Sequence, residues 1–169
     1  MIVLGIDPGT AVTGYGVVRT GGLRHAGGAE LLECGVIRTS PTQPLAARLL
    51  DIYEGVRELL ARHAPQAMAV EDIFYAKNVR TTVVLGHARG VVLLAGQQAG
   101  VVIHEYPPAE IKKAVVGNGT ATKEQVQFMV TKLLRLKTAP QPADAADGVA
   151  AALTCVLRAD VMRAIEAAR

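Results

Sequence analysis

Ile2-Val-Leu-Gly-Ile6 runs straight into Asp7-Pro8-Gly9, and this stretch decides the fold class. A short apolar run closed by an acid and a Pro-Gly turn signal reads as a buried strand. Two more β-rich stretches follow at residues 13–20 and 31–39, separated by a Gly-rich connection at 21–28. From Leu45 the period changes. Leu45, Leu49, Ile52, Val56, Leu59 and Leu60 recur at three and four with charged residues between them, the pattern of an amphipathic helix. Residues 67–71 form a second apolar run ending in a carboxylate. Residues 78–100 read as a helix rich in Ala, Gly, Val and Leu, and 101–106 as a strand stopped by Pro107-Pro108. Helices are predicted over 109–116, 122–136 and 143–168. The expected architecture is α/β, with a mixed five-stranded sheet. The first strands are joined as hairpins and the later ones by crossover helices.

Length and composition bound the rest. At 169 residues the chain reads as one domain, residues 1–169, and 50% hydrophobic with 20% charged residues excludes a disordered chain. No apolar run approaches the ~18 residues of a membrane span, and the first residues lack the basic and long apolar regions of a signal peptide. Cys34 and Cys155 stand far apart in apolar contexts and read as buried free thiols of a reducing compartment, so a cytoplasmic protein is expected. The net charge of +3 conceals an asymmetry. Residues 77–137 hold nine basic and three acidic side chains, whereas residues 1–76 hold six basic and eight acidic. A block this one-sided points to an anionic partner, although a solvated helical face has the same composition.

Several chemistries drop out. The stretch from Gly117 to Lys123 fails the phosphate-loop pattern because Thr122 precedes the lysine and Glu124 follows it. Ser40 is the only serine, so there is no nucleophile elbow. The four histidines and two cysteines show no paired zinc-ligand spacing.

Four acids remain where acids are poor choices for stability. Asp7 and Glu71 end apolar strands, and ligands of α/β sheets gather outside the carboxyl ends of strands. Asp144 and Asp147 lie three apart near a helix start, hence on one face. Helix capping accounts for Asp144, less well for Asp147, and not for the strand acids. If the four converge, each pair ~5 Å apart repels by roughly 3 kcal/mol at an effective dielectric of 20. Protons or cations must then neutralise them. Oxygen-only ligands fit Mg²⁺ or Mn²⁺, and two such ions form a phosphoryl-transfer clamp. Joined to the basic segment, the acids indicate metal-dependent cleavage of a nucleic-acid phosphodiester.

The motifs Gly5-Ile-Asp-Pro-Gly-Thr-Ala-Val-Thr-Gly-Tyr-Gly16, Glu71-Asp-Ile-Phe-Tyr-Ala-Lys-Asn78, Leu85-Gly-His-Ala-Arg-Gly90, Ile111-Lys-Lys-Ala-Val-Val-Gly-Asn-Gly-Thr-Ala-Thr-Lys123 and Ala143-Asp-Ala-Ala-Asp147 together resemble the bacterial RuvC Holliday junction resolvases. The resemblance implies an RNase H-like fold and a homodimer that nicks opposing strands of four-way DNA junctions in recombination and repair, leaving 5′-phosphate and 3′-hydroxyl ends. It implies Asp7, Glu71, Asp144 and Asp147 as ligands of two Mg²⁺ ions, replaceable by Mn²⁺, with Lys123 assisting catalysis. Some members carry histidine where this chain has Asp144. The resemblance further implies DNA contacts from Phe74, Lys112 and Lys123, with Tyr75, Lys77, Asn78, Arg80 and Lys113 as weaker candidates. It makes the helix over 78–100 the candidate dimer interface, and a branch-migration motor complex a partner. Three rivals stand beside it. An actin-like or sugar-kinase-like ATPase shares the opening motif but needs a second domain. A junction-binding module without catalysis would not need four acids. A nuclease of the same fold could act on another branched or single-stranded substrate.

Overall fold

The computed structural model describes residues 1–20, 28–72 and 79–167. Along the chain run β1 (Ile2–Asp7), β2 (Val12–Thr20), β3 (Ala29–Arg38), α1 (Leu45–His63), β4 (Ala67–Glu71), α2 (Val79–Gln98), β5 (Val102–Tyr106), α3 (Pro108–Val116), α4 (Lys123–Leu133) and α5 (Ala143–Ala167). The strands form one mixed sheet in the order β3-β2-β1-β4-β5. β1 pairs antiparallel with β2, and β2 with β3, while β1–β4 and β4–β5 are parallel. Each parallel step is bridged by a helix, as the connection between parallel strands requires.

Strand alternation divides the core into two layers. Leu4, Ile6, Met68 and Val70 face α1 and α2, where Ile52, Val56 and Val92 are fully buried. Val3, Ala67 and Ala69 face the other side, against α3, α4 and α5. The same two-residue period puts Asp7 and Glu71 on the α5 side. Ile6 lies beside Val70 in the parallel register, so the next residues, Asp7 and Glu71, emerge together at the carboxyl edge of adjacent strands.

Two helices stop short of their apolar patterns for a visible reason. Helix α4 ends at Leu133, and Arg135 turns left-handed at φ 51°. The Leu136 N–H then reaches back to the Thr131 carbonyl at 2.9 Å, and Leu136 packs on the core from outside the helix. A chain reversal of this kind keeps the apolar contact while ending the helix. Helix α2 ends similarly before Gly100 (φ 69°), where the Val101 N–H bonds the Gly96 carbonyl. Cys155 is buried as expected, whereas Cys34 is only half-buried, and both are free thiols. Among the described residues no helix is long and apolar enough to cross a membrane.

Candidate functional site

The turn after β1 is fastened by Thr13, which is fully buried. Its hydroxyl donates to the Gly9 carbonyl at 2.7 Å and accepts from the Gly9 N–H at 3.3 Å. Opposite Asp7 in the register stands Gly14. A Cβ at Gly14 would lie 1.8 Å from the Asp144 carbonyl oxygen, and one at Gly148 would lie 2.5 Å from the Tyr15 Cα. These glycines let the first two turns of α5 rest directly on the backbone of β2, which carries Asp144 and Asp147 over Asp7. One oxygen each of Asp7, Asp144 and Asp147 lies within 4.8 Å of the others. Glu71 is not in that close trio. It lines the same cleft of about 300 Å³, together with Asp7, Asp147, Lys112 and Lys123.

Lys123 is held in place by the start of α4. The Thr122 hydroxyl accepts from the Gln125 N–H, and the Gln125 carboxamide oxygen accepts from the Thr122 N–H at 2.9 Å. This reciprocal cap fixes the first helical turn. From it the Lys123 ammonium reaches Asp147 Oδ2 at 2.8 Å. Asp147 is largely buried and Lys123 mostly exposed, so the lysine closes the cleft from the solvent side.

Burial dominates the electrostatics. It raises Asp7 to about 7, helped by the charges of Asp147 and Asp144 and opposed by Lys123. Glu71 rises to about 8, again chiefly through burial, with Asp7 and Asp147 adding to it and Lys123 and Lys112 opposing. The Lys123 ammonium is stabilised by its bond to Asp147. Asp7 and Asp147 are thus common neighbours of the other two acids, with Glu71 and Asp144 at either end. Carboxylates forced this close, half-buried and oxygen-only, match the donor chemistry of a hard divalent cation. The residues fit a metal, and the cleft brings Asp7, Glu71 and Asp147 to one opening with two lysines.

Comparison with known proteins then decides the family. A model of the family described as crossover junction endodeoxyribonuclease RuvC matches residues 3–155. The chain is 48% identical over 153 residues to the crossover junction endodeoxyribonuclease RuvC of Pelotomaculum thermopropionicum, covering 90% of this chain and 91% of that one. This chain belongs to the RuvC family. Its fold matches a Thermus thermophilus RuvC structure with a TM-score of 0.86 and 42% identity, covering 95% of this chain and 96% of that one. It also matches T. thermophilus RuvC in complex with a Holliday junction substrate, at a TM-score of 0.85 and 39% identity with the same coverage. The RNase H-like architecture expected from the motifs is the one found.

The remaining residues implied by the RuvC resemblance divide into three groups. Lys112 and Lys123 line the cleft. Arg80 and Lys113 are exposed, on the first turn of α2 and the last turn of α3, and neither lines the cleft. Phe74, Tyr75, Lys77 and Asn78 lie outside the described residues. Reading for chemistry missed Thr13, Gly14, Thr122, Gln125 and Gly148, which this RuvC fold uses to bring the acids and lysine together. Two signals were present: the Thr-x-x-Gln capping pattern before α4, and glycines inside a strand, which mark close backbone approach.

Proposed function

We propose that this crossover junction endodeoxyribonuclease binds four-way DNA junctions and nicks two opposing strands, leaving 5′-phosphate and 3′-hydroxyl ends. The observation that carries the reading is the meeting of Asp7, Asp144 and Asp147 within 4.8 Å, in a cleft that Glu71, Lys112 and Lys123 complete. Asp7, Glu71, Asp144 and Asp147 would hold two Mg²⁺ ions between them, and Mn²⁺ would substitute. Bound there, divalent ions supply charge that offsets the carboxylates, acidifies the attacking water and stabilises the leaving 3′-oxygen. The protein's own part is to hold four oxygen donors rigidly, exclude bulk water from Asp7 and Glu71, and present two ammonium groups to the phosphate. Lys123, tethered by Asp147, faces the developing negative charge, and Lys112 adds charge from α3. Lys113, Arg80, Lys77 and Asn78 would contact the DNA backbone, and Phe74 and Tyr75 the unpaired bases at the junction centre.

The working unit would be a homodimer, since a two-fold substrate calls for two cutting centres. Its interface is supported by the apolar strip on α2, where Val83 and Leu94 are half exposed and a Cβ at Gly86 or Gly90 would meet open space. The whole chain, 1–169, would act as one nuclease domain in the cytoplasm, alongside a branch-migration motor. The test is cleavage of a mobile four-way junction against a linear duplex of the same sequence, with Mg²⁺, Mn²⁺ or EDTA. Paired, religatable nicks in the junction alone, lost with EDTA, are expected. Cleavage of other branched or single-stranded substrates instead would keep the metal centre and discard the junction. Tight binding without cleavage would leave a binding module.

A further inference from the structure

Glu71 and Asp72 are consecutive, and strand alternation sends them to opposite faces of the sheet. Glu71 faces the cleft beneath α5, and Asp72 points to the α2 side. On that side Glu105 of β5 stands beside Val70, one position before Tyr106. Two carboxylates therefore stand on the α2 side at the carboxyl ends of β4 and β5, behind the strand end that carries Glu71. Arg89 of α2 bridges them: its Nη2 lies 3.2 Å from Asp72 Oδ1 and contacts Glu105 Oε2. The two strand ends share one further bond, from the Asp72 N–H to the Tyr106 carbonyl at 2.9 Å. The Arg89 Nε is buried and has no hydrogen-bond partner among the described residues.

We propose that Arg89 is a positioning residue for Glu71, clamping the ends of β4 and β5 through Asp72 and Glu105 so that the Glu71 carboxylate is presented to the metal. The proposal rests on Glu71 being a metal ligand. Arg89 lies on the far side of the sheet from the cleft and does not line it. Without its charge, Asp72 and Glu105 repel each other across adjacent strands, and the Asp72–Tyr106 bond is the first to open. Glu71, one residue away, then loses its fixed direction. A lysine keeps the charge but not the planar group whose Nη2 serves both carboxylates.

The experiment measures Mn²⁺ affinity by calorimetry without DNA, junction-cleavage kcat and KM, and hydrogen exchange of the Asp72 amide in metal-free protein. Arg89→Gln is expected to weaken Mn²⁺ binding and lower kcat about 10- to 100-fold, the range for residues that orient metal ligands, with KM changed less than about threefold. Exchange at Asp72 should accelerate. Arg89→Lys should fall between, and it carries the same readouts if Arg89→Gln does not fold. The triple variant Arg89→Gln/Asp72→Asn/Glu105→Gln removes the repulsion and should recover most of the Mn²⁺ affinity. Unchanged Mn²⁺ affinity in Arg89→Gln overturns the positioning role, as does a loss that the triple variant fails to restore. Unchanged affinity in Glu71→Gln overturns the metal-site reading itself, so the two failures are distinguishable.

Discussion

Asp7→Asn should stabilise the metal-free protein at alkaline pH while abolishing cleavage. In the fold, burial and the neighbouring Asp147 and Asp144 charges raise Asp7 from 3.8 to about 7. Below the unfolded value both states hold the proton, and Asp7 costs nothing. Between the two values the unfolded chain has released its proton while the fold retains it, so stability falls as pH rises. Above the folded value both are ionised, and the full cost remains. That cost is about 2 kcal/mol at pH 5 and about 4 kcal/mol at pH 8. Burial is the larger part of it, and a carboxylate pair within 4.8 Å adds repulsion of about 3 kcal/mol at an effective dielectric of 20. Asparagine keeps the shape and removes the charge. Part of the gain is offset because Lys123 loses a stabilising anion. For a domain of this size, a recovery of about 2–4 kcal/mol raises the melting temperature by roughly 5–15 °C at pH 8, and by less at pH 5. The assay is thermal melting of wild type and Asp7→Asn in EDTA at both pH values, then in saturating Mg²⁺. Wild type should gain from Mg²⁺ at pH 8, and the variant should lose most of that gain. Equal destabilisation of Asp7→Asn at both pH values would refute the reasoning and make Asp7 a structural anchor.

Gly14→Ala should be among the most damaging single-methyl changes, because its Cβ would lie 1.8 Å from the Asp144 carbonyl oxygen. We expect a loss of roughly 3 kcal/mol or more in chemical denaturation, with cleavage lost as α5 lifts from β2. Lys123→Met should slow single-turnover cleavage by about 10²–10³ while leaving the melting temperature within a few degrees, since the Lys123 side chain itself is mostly exposed. Equal loss of stability would mean that the ion pair is structural. Leu94→Glu, on the half-exposed face of α2, should shift the chain to monomer in sedimentation without unfolding it. A persistent dimer would move the interface elsewhere.

Much of the architecture was legible because its signals are local. The apolar run at β1, the three-and-four periodicity of α1 and the helices between later strands each follow from a few neighbouring residues, and they imply a mixed sheet without any tertiary information. Helix ends were less legible. The apolar pattern of α4 continues to Leu136, yet the helix stops at Leu133 because a left-handed residue lets Leu136 make the same contact from outside. The acids were identifiable because a carboxylate closing an apolar strand has no stabilising role there. Their separate environments were not, since burial depends on which elements cover them.

The sequence by itself determined the strand and helix order and the family and singled out the four acids, because each is carried by residue identity and spacing along the chain. Only the tertiary structure decided that Asp7, Asp144 and Asp147 form a tight trio with Glu71 across the cleft, that Lys123 is tied to Asp147, and that Arg89 grips the strand ends from behind. These residues come from β1, β4, α2, α4 and α5. Their meeting depends on how closely one helix can lie on a sheet, and that distance is set by glycines whose missing side chains carry no chemical signal of their own.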